Sequence, residues 1–165
     1  RALVVIDTAA AKTKVDKLLE KDSHTDVIRK AAISYFGSVK NDQNYDRLKE
    51  LAAYGGTTWD ARPEAVNQLG KYAKDKPETL DLFVEFLDDN TRSVRRNSIR
   101  QLGRYGSKKH LDALDEVLAE DPILERDIRF AKKSIITPSK KSKSAQEKEI
   151  DELTKKLDSI RKLVE

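Results

Sequence analysis

Val94-Arg95-Arg96-Asn97-Ser98-Ile99-Arg100-Gln101-Leu102-Gly103 decides the fold, because the same block stands 33 and 66 residues earlier in the chain. The earlier copies read Ala61-Arg62-x-x-Ala65-Val66-x-x-Leu69-Gly70 and Ile28-Arg29-x-x-Ala32-Ile33-x-x-Phe36-Gly37. A fourth, degenerate copy is expected from Ile128-Arg129 to Ile136, where Pro138 stops it. In each block the apolar residues occupy the first, fifth, sixth and ninth places, which is one stripe of an α-helix and cannot be one face of a strand. The glycine is expected to close that helix. A fixed period of this length is the mark of a repeat architecture.

Working outward, a second helical stripe follows each glycine. It comprises Tyr45, Leu48 and Leu51, then Leu80, Phe83, Phe86 and Leu87, then Leu111, Leu114, Val117 and Leu118. Each unit is therefore a helix pair. Asp75 with Pro77, Asp121 with Pro122, and Asp60 with Pro63 read as helix starts, since proline in a first turn loses no intrahelical bond. Val15, Leu18 and Leu19 read as the end of an earlier second helix whose partner lies in Ala2–Ala11. One pair cannot bury its apolar face alone, so the pairs must stack. The expected fold is an all-α superhelix, a right-handed solenoid of helix pairs over residues 1–137. Its units run about 1–23, 24–57, 58–90 and 91–122, with a partial unit at 123–137.

Composition agrees with long amphipathic helices. Charged residues and the hydrophobic set each make up 38% of the 165 residues, with 6 Gly and 4 Pro. Lys and Arg exceed Asp and Glu by only 33 to 29, so the chain has no strong overall field and does not call for a nucleic-acid partner. With no cysteine, disulfides, thiolate catalysis and cysteine-ligated zinc are excluded, and the redox compartment stays open. No apolar run approaches the roughly 18 residues that suggest a membrane span. The compartment is unknown from sequence, with the cytoplasm as the default expectation.

Arg29, Arg62, Arg95 and Arg129 are expected at one equivalent place in every unit. An arginine there can fork onto carboxylates or helix-end carbonyls of the adjoining unit, which outweighs the reading as an anion-binding row. Trp59 reads as packing at a repeat junction. His24 and His110 read as solvated loop residues, lacking the spacing of metal ligands. Asp88-Asp89 reads as a charged helix end. No nucleophile elbow, phosphate-binding glycine loop or paired acids in a catalytic arrangement is written in the chain, so no catalytic, cofactor or metal residue is assigned.

Beyond the repeats, residues 138–144 read as a basic linker and 145–165 as an amphipathic heptad helix. Ser144 and Glu147 suit a capping box, and Ile150, Leu153, Leu157, Ile160 and Val164 recur at alternating spacings of 3 and 4. That seam either docks on the solenoid or self-associates with another chain. Duplex binding through the basic tail and Lys108-Lys109-His110 would weaken steeply with salt, and it ranks third among the readings.

The helix pairs resemble HEAT repeats, and more narrowly the short variety with the Val-Arg-x-x-Ala-Ile-x-x-Leu-Gly signature, over about residues 8–136. Ser23-His24-Thr25-Asp26-Val27-Ile28-Arg29, followed by Tyr54-Gly55, is similar to the C-terminal HEAT-like region of microbial zinc aminopeptidases of the M1 family. That resemblance implies a parent enzyme whose zinc-binding His-Glu-x-x-His helix lies upstream, and a helical domain that shapes access to its active site. The abrupt apolar start at Ala2–Ile6 fits a piece of such a parent. The expected function is thus a non-catalytic scaffold or interaction domain. Its partner would be the upstream catalytic domain or another protein, and the alternative is a stand-alone protein-binding adaptor.

Overall fold

The computed structural model describes residues 8–137, together with Thr154. The 138–144 linker and the seam Ile150, Leu153, Leu157, Ile160 and Val164 lie outside the described residues. Over residues 8–137 eight α-helices follow one another: α1 (Thr8–Leu19), α2 (Val27–Ser38), α3 (Asp42–Ala52), α4 (Arg62–Leu69), α5 (Thr79–Glu85), α6 (Arg92–Tyr105), α7 (Leu111–Glu120) and α8 (Glu125–Ile136). Short 3-10 turns lead into α2, α7 and α8, and another extends α5 over Phe86–Asp88. No strand occurs among the described residues, and the fold is an all-α helical repeat.

The repeated block supplies the core. Ala32, Ile33 and Phe36 of α2, Ala65, Val66 and Leu69 of α4, and Ser98, Ile99 and Leu102 of α6 are all at most 2% exposed. The first helices of successive units lie side by side, α2 on α4, α4 on α6 and α6 on α8. The second helices α3, α5 and α7 lodge against the first helix of the following unit. Leu48, Phe83 and Leu114, the middle residue of each second stripe, are completely buried. Stacking is thus nearest-neighbour burial, as repeat architectures require.

Of the three glycines only Gly70 stands at the end of its helix, as expected. Gly37 and Gly103 lie inside α2 and α6, and Gly70 caps α4 in the right-handed conformation. Their role is close approach. A Cβ on Gly37 would sit 2.0 Å from Gln68 Oε1, and one on Gly70 would sit 2.0 Å from Gln101 Oε1. On Gly103 it would lie 2.8 Å from the Cα of Ala131. The glycine lets the next first helix lie flush against its predecessor.

Three sequence expectations are corrected. Thr8–Ala11 belong to α1 itself, so they are not part of a preceding partner helix. Asp75 does not start a helix: α5 begins at Thr79, and the Asp75 carboxylate accepts from Lys40 Nζ at 2.8 Å. The fourth copy is in register one residue earlier than Ile128-Arg129 implied. Ala131 follows Ser98 by 33 residues and is buried like it, which aligns Ile128 with Arg95. Ile128 is fully buried, whereas Ile136 is exposed.

Replacing Gly103 by Ala removes a flexible residue from a helix interior, a gain of about 1 kcal/mol. The new methyl meets backbone that cannot swing aside, and overpacking of this kind costs about 1–3 kcal/mol. Gly103→Ala is expected to lower the urea midpoint. Gly70→Ala, which meets mainly the movable amide of Gln101, is expected to lower it less. A Gly103→Ala midpoint at or above the parent value would show that α8 does not pack this closely on α6.

Candidate functional site

Every second helix ends in carbonyls without an intrahelical partner, and burial makes each of them costly unless it is paired. The arginine near the start of the next first helix answers that need. Arg29 Nε donates to Leu19 O at 2.6 Å, Arg62 donates through Nε and Nη2 to Ala52 O, both at 3.1 Å, and Arg95 Nη1 donates to Asp89 O at 2.8 Å. The other side of each guanidinium turns to an aspartate. Arg62 grips Asp89 through Nη2 to Oδ2 at 2.5 Å and Nη1 to Oδ1 at 3.3 Å, a fork-on-fork pair with both side chains almost completely buried. Arg95 Nη2 donates to Asp121 Oδ2 at 2.6 Å. Arg29 pairs with Asp22 at 3.0 Å and with Asp26.

Asp26 links two units, because its other carboxylate oxygen accepts from the hydroxyl of Thr58. Thr25 and Asp26 both adopt left-handed backbone, with φ of 50° and 54°. Such a conformation costs a non-glycine residue roughly 1–2 kcal/mol. The Arg29 and Thr58 contacts hold the turn in that shape.

Arg129 stands apart from this row. With its side chain 80% exposed, its ion pair among the described residues is a 4.0 Å contact to Glu125 in its own helix. Buried Ile128 occupies the equivalent place in α8. Asp89, expected on an exposed charged end, is instead the buried anchor of Arg62. Burial pushes the Asp89 carboxyl up, but the hydrogen bonds from Arg62 and from the Thr91 amide outweigh it and hold the group below its ordinary value. The Arg95 hydrogen bond, against some burial, likewise lowers Asp121.

A groove opens between α6 and α8, with a volume of about 730 Å³. Gly103 lies on its wall. In the two preceding units the corresponding space is filled by Gln68 over Gly37 and by Gln101 over Gly70. The residue 33 positions after Gln101 is Ser134, too short to cover the gap, and it lines the groove instead. Arg100, Arg104, Arg126, Arg129 and Lys133 surround the opening, and the single acid, Asp127, is engaged by Arg96 and Arg100, each at 3.1 Å. Phe130 lies among these cations, 73% exposed. Periodicity marks the arginine junctions, but the groove is an interruption of the period, and only the Gln68, Gln101, Ser134 series hints at it.

Residues 51–131 match the family model for HEAT repeats. Over that span the stack is similar to HEAT repeats. No curated protein and no solved structure matches the chain. The matched span runs from the end of α3 to the middle of α8, and α2 outside it carries the same arginine junction as the HEAT-like units within it.

The remaining sequence candidates fall elsewhere. Trp59 is not packed at the junction but 74% exposed, and Tyr54 is exposed beside it in sequence, with the Arg62 guanidinium 5.6 Å from its ring centre. His110 is not a solvated loop residue: it is buried, and its Nδ1 accepts from the Ser107 amide at 2.9 Å. His24 is exposed. Among the described residues no cluster of His, Asp and Glu is arranged to hold a metal ion, and no helix is long and apolar enough to cross a membrane.

Removing one member of a buried pair strands the other, at a cost of about 3–5 kcal/mol. Arg62→Ala is therefore expected to lose stability on that scale in urea unfolding, and Arg129→Ala to stay within about 0.5 kcal/mol of the parent. Equal effects at the two sites would contradict the buried fork.

Because the folded Asp89 carboxyl titrates below its unfolded value of about 3.9, its stabilisation is fully present above that value. It is lost as pH falls through the folded value. Asp89→Asn is expected to be less stable at neutral pH and to show a shallower loss of urea midpoint below about pH 4. Parallel acid profiles for the two proteins would remove Asp89 from the acid response.

Proposed function

We propose that this HEAT-like domain is a non-catalytic scaffold that seats an acidic segment of a protein partner in the α6–α8 groove. The observation that carries the reading is a groove lined by five cations together with an exposed phenylalanine. Arg104, Arg126 and Lys133 make no ion pair among the described residues, leaving their charge available to an acidic ligand. An anchoring aromatic with surrounding arginine is the composition that concentrates binding energy at protein interfaces. HEAT repeats commonly mediate protein interactions, which supports the same assignment.

We further propose that the domain is the C-terminal accessory part of a zinc aminopeptidase of the M1 kind, with the upstream catalytic part of the same chain as its partner. The support is the similarity of Ser23–Arg29 and Tyr54-Gly55 to that family's helical region. Those residues act structurally here: the Ser23 hydroxyl accepts from the Ile28 amide at 3.0 Å, and Asp26 closes the junction with Arg29 and Thr58. The catalytic zinc would belong to the parent, and this chain supplies no ligand to it.

The deciding measurement is the intact mass of the natural gene product, taken with its hydrolysis of an aminoacyl chromogenic amide in the presence and absence of a chelator. The expected product is much larger than 18.7 kDa and is silenced by the chelator. A product of about that mass with no activity would remove the aminopeptidase parent and leave a stand-alone adaptor. The groove is tested separately with a fluorescent peptide rich in Glu and Phe. Arg126→Glu with Lys133→Glu is expected to weaken its binding at least tenfold, and unchanged affinity would exclude the groove as the seat.

A further inference from the structure

We infer that the anchor of the acidic segment is a phosphorylated side chain, seated over Gly103 beside Arg100, Arg104 and Lys133. The inference rests on the reading of the α6–α8 groove as the seat of that segment. It comes from one place compared across three successive junctions. In the first two, a glutamine side chain lies over the glycine of the preceding first helix, Gln68 over Gly37 and Gln101 over Gly70. Each glutamine turns its amide nitrogen to an oxygen of that preceding helix. Gln68 Nε2 donates to Ser34 Oγ at 3.4 Å, and Gln101 Nε2 donates to Asn67 Oδ1 at 2.8 Å.

At the third junction both partners change. The 33-residue period puts Ser134 in the glutamine place, and Arg100 in the place of Ser34 and Asn67. Ser134 turns its hydroxyl to its own helix, donating to Phe130 O at 3.0 Å, and both Ser134 and Gly103 line the groove. A cation thus stands where the earlier junctions hold an acceptor. The group that fits over Gly103 is therefore an anion and not an amide.

The donors around that place decide which anion. Arg100 gives Nε and Nη2 to Asp127, and its Nη1 makes no hydrogen bond among the described residues. Arg104 follows one turn later on α6, and Lys133 precedes Ser134 on α8, both lining the groove without an ion pair among the described residues. Cations therefore stand on both walls. A flat carboxylate offers two oxygens and one charge, whereas a phosphoserine offers three oxygens and close to two charges, enough to meet both walls at once. Phe130 lies one turn before Ser134, about 6 Å along the helix. Alternate side chains of an extended chain are roughly 6–7 Å apart, so the matching ligand carries phosphoserine with an apolar residue two positions away.

Fluorescence titration of the full chain with three versions of one extended peptide tests the inference. The variable position is phosphoserine, glutamate or serine, with phenylalanine two residues away. The phosphorylated version is expected to bind at least tenfold more tightly than the glutamate version, and the serine version more weakly still. Ser134→Gln, which restores the residue of the two preceding junctions, is expected to cut the phosphoserine preference below threefold. Arg104→Gln, at an exposed site, is expected to do the same, which keeps the test decisive if Ser134→Gln unfolds. Equal affinity for the phosphoserine and glutamate versions would overturn the phosphoryl seat and leave the acidic-segment reading standing. No binding of any version would overturn both. A preference that survives both substitutions would put the phosphate elsewhere and overturn the seat over Gly103.

Discussion

At three junctions a carbonyl at or just past the end of one helix lies under the unit that follows, and the structure depends on how that acceptor is satisfied. Water is excluded there and the helix itself has no donor left to give. An arginine from the next first helix reaches back to it, and the same guanidinium reaches across to an aspartate. Lysine could not do both, because its single point charge lacks the planar fork that serves two acceptors at once. The repeated arginine is thus a consequence of stacking, and it fixes both the spacing and the direction in which units are added.

Where this arrangement lapses, the surface changes character. At α8 the arginine place is taken by Ile128, and Ser134 replaces the glutamines that cover Gly37 and Gly70. The first loss leaves α8 without a junction arginine, and α8 is held to α6 by its buried face and by Asp127 in its first turn with Arg96 and Arg100. The second leaves a groove. A binding surface has been made by omission, with the scaffold intact on one side and the charged exterior of α8 on the other.

The helical repeat was legible because two independent signals agreed, an apolar stripe of helical spacing and a period of 33 residues. What resisted reading was whatever depends on partners at irregular distance. The aspartates that meet Arg29, Arg62 and Arg95 stand at different offsets, so Asp89 looked like one of two surface acids until the fold placed it under Arg62. The glycines were visible, but a glycine for close approach and a glycine for a helix end carry the same letter. Arg129 misled for a related reason: a one-residue slip in a degenerate copy keeps the motif and moves the side chain about 100° round the helix, from junction to solvent. The groove left only a faint trace, since a short side chain in a variable position is unremarkable without its neighbours.

Asp89 serves two successive units with different atoms: its carboxylate holds Arg62 and its backbone carbonyl holds Arg95. A linear array with equal links would fray from its ends and melt piecemeal, as an Ising chain does when coupling is weak. One residue clasped from both directions couples the two middle units directly. Opening either neighbour of Asp89 must break one of these two bonds, so the middle of the stack is tied more tightly than a plain nearest-neighbour array.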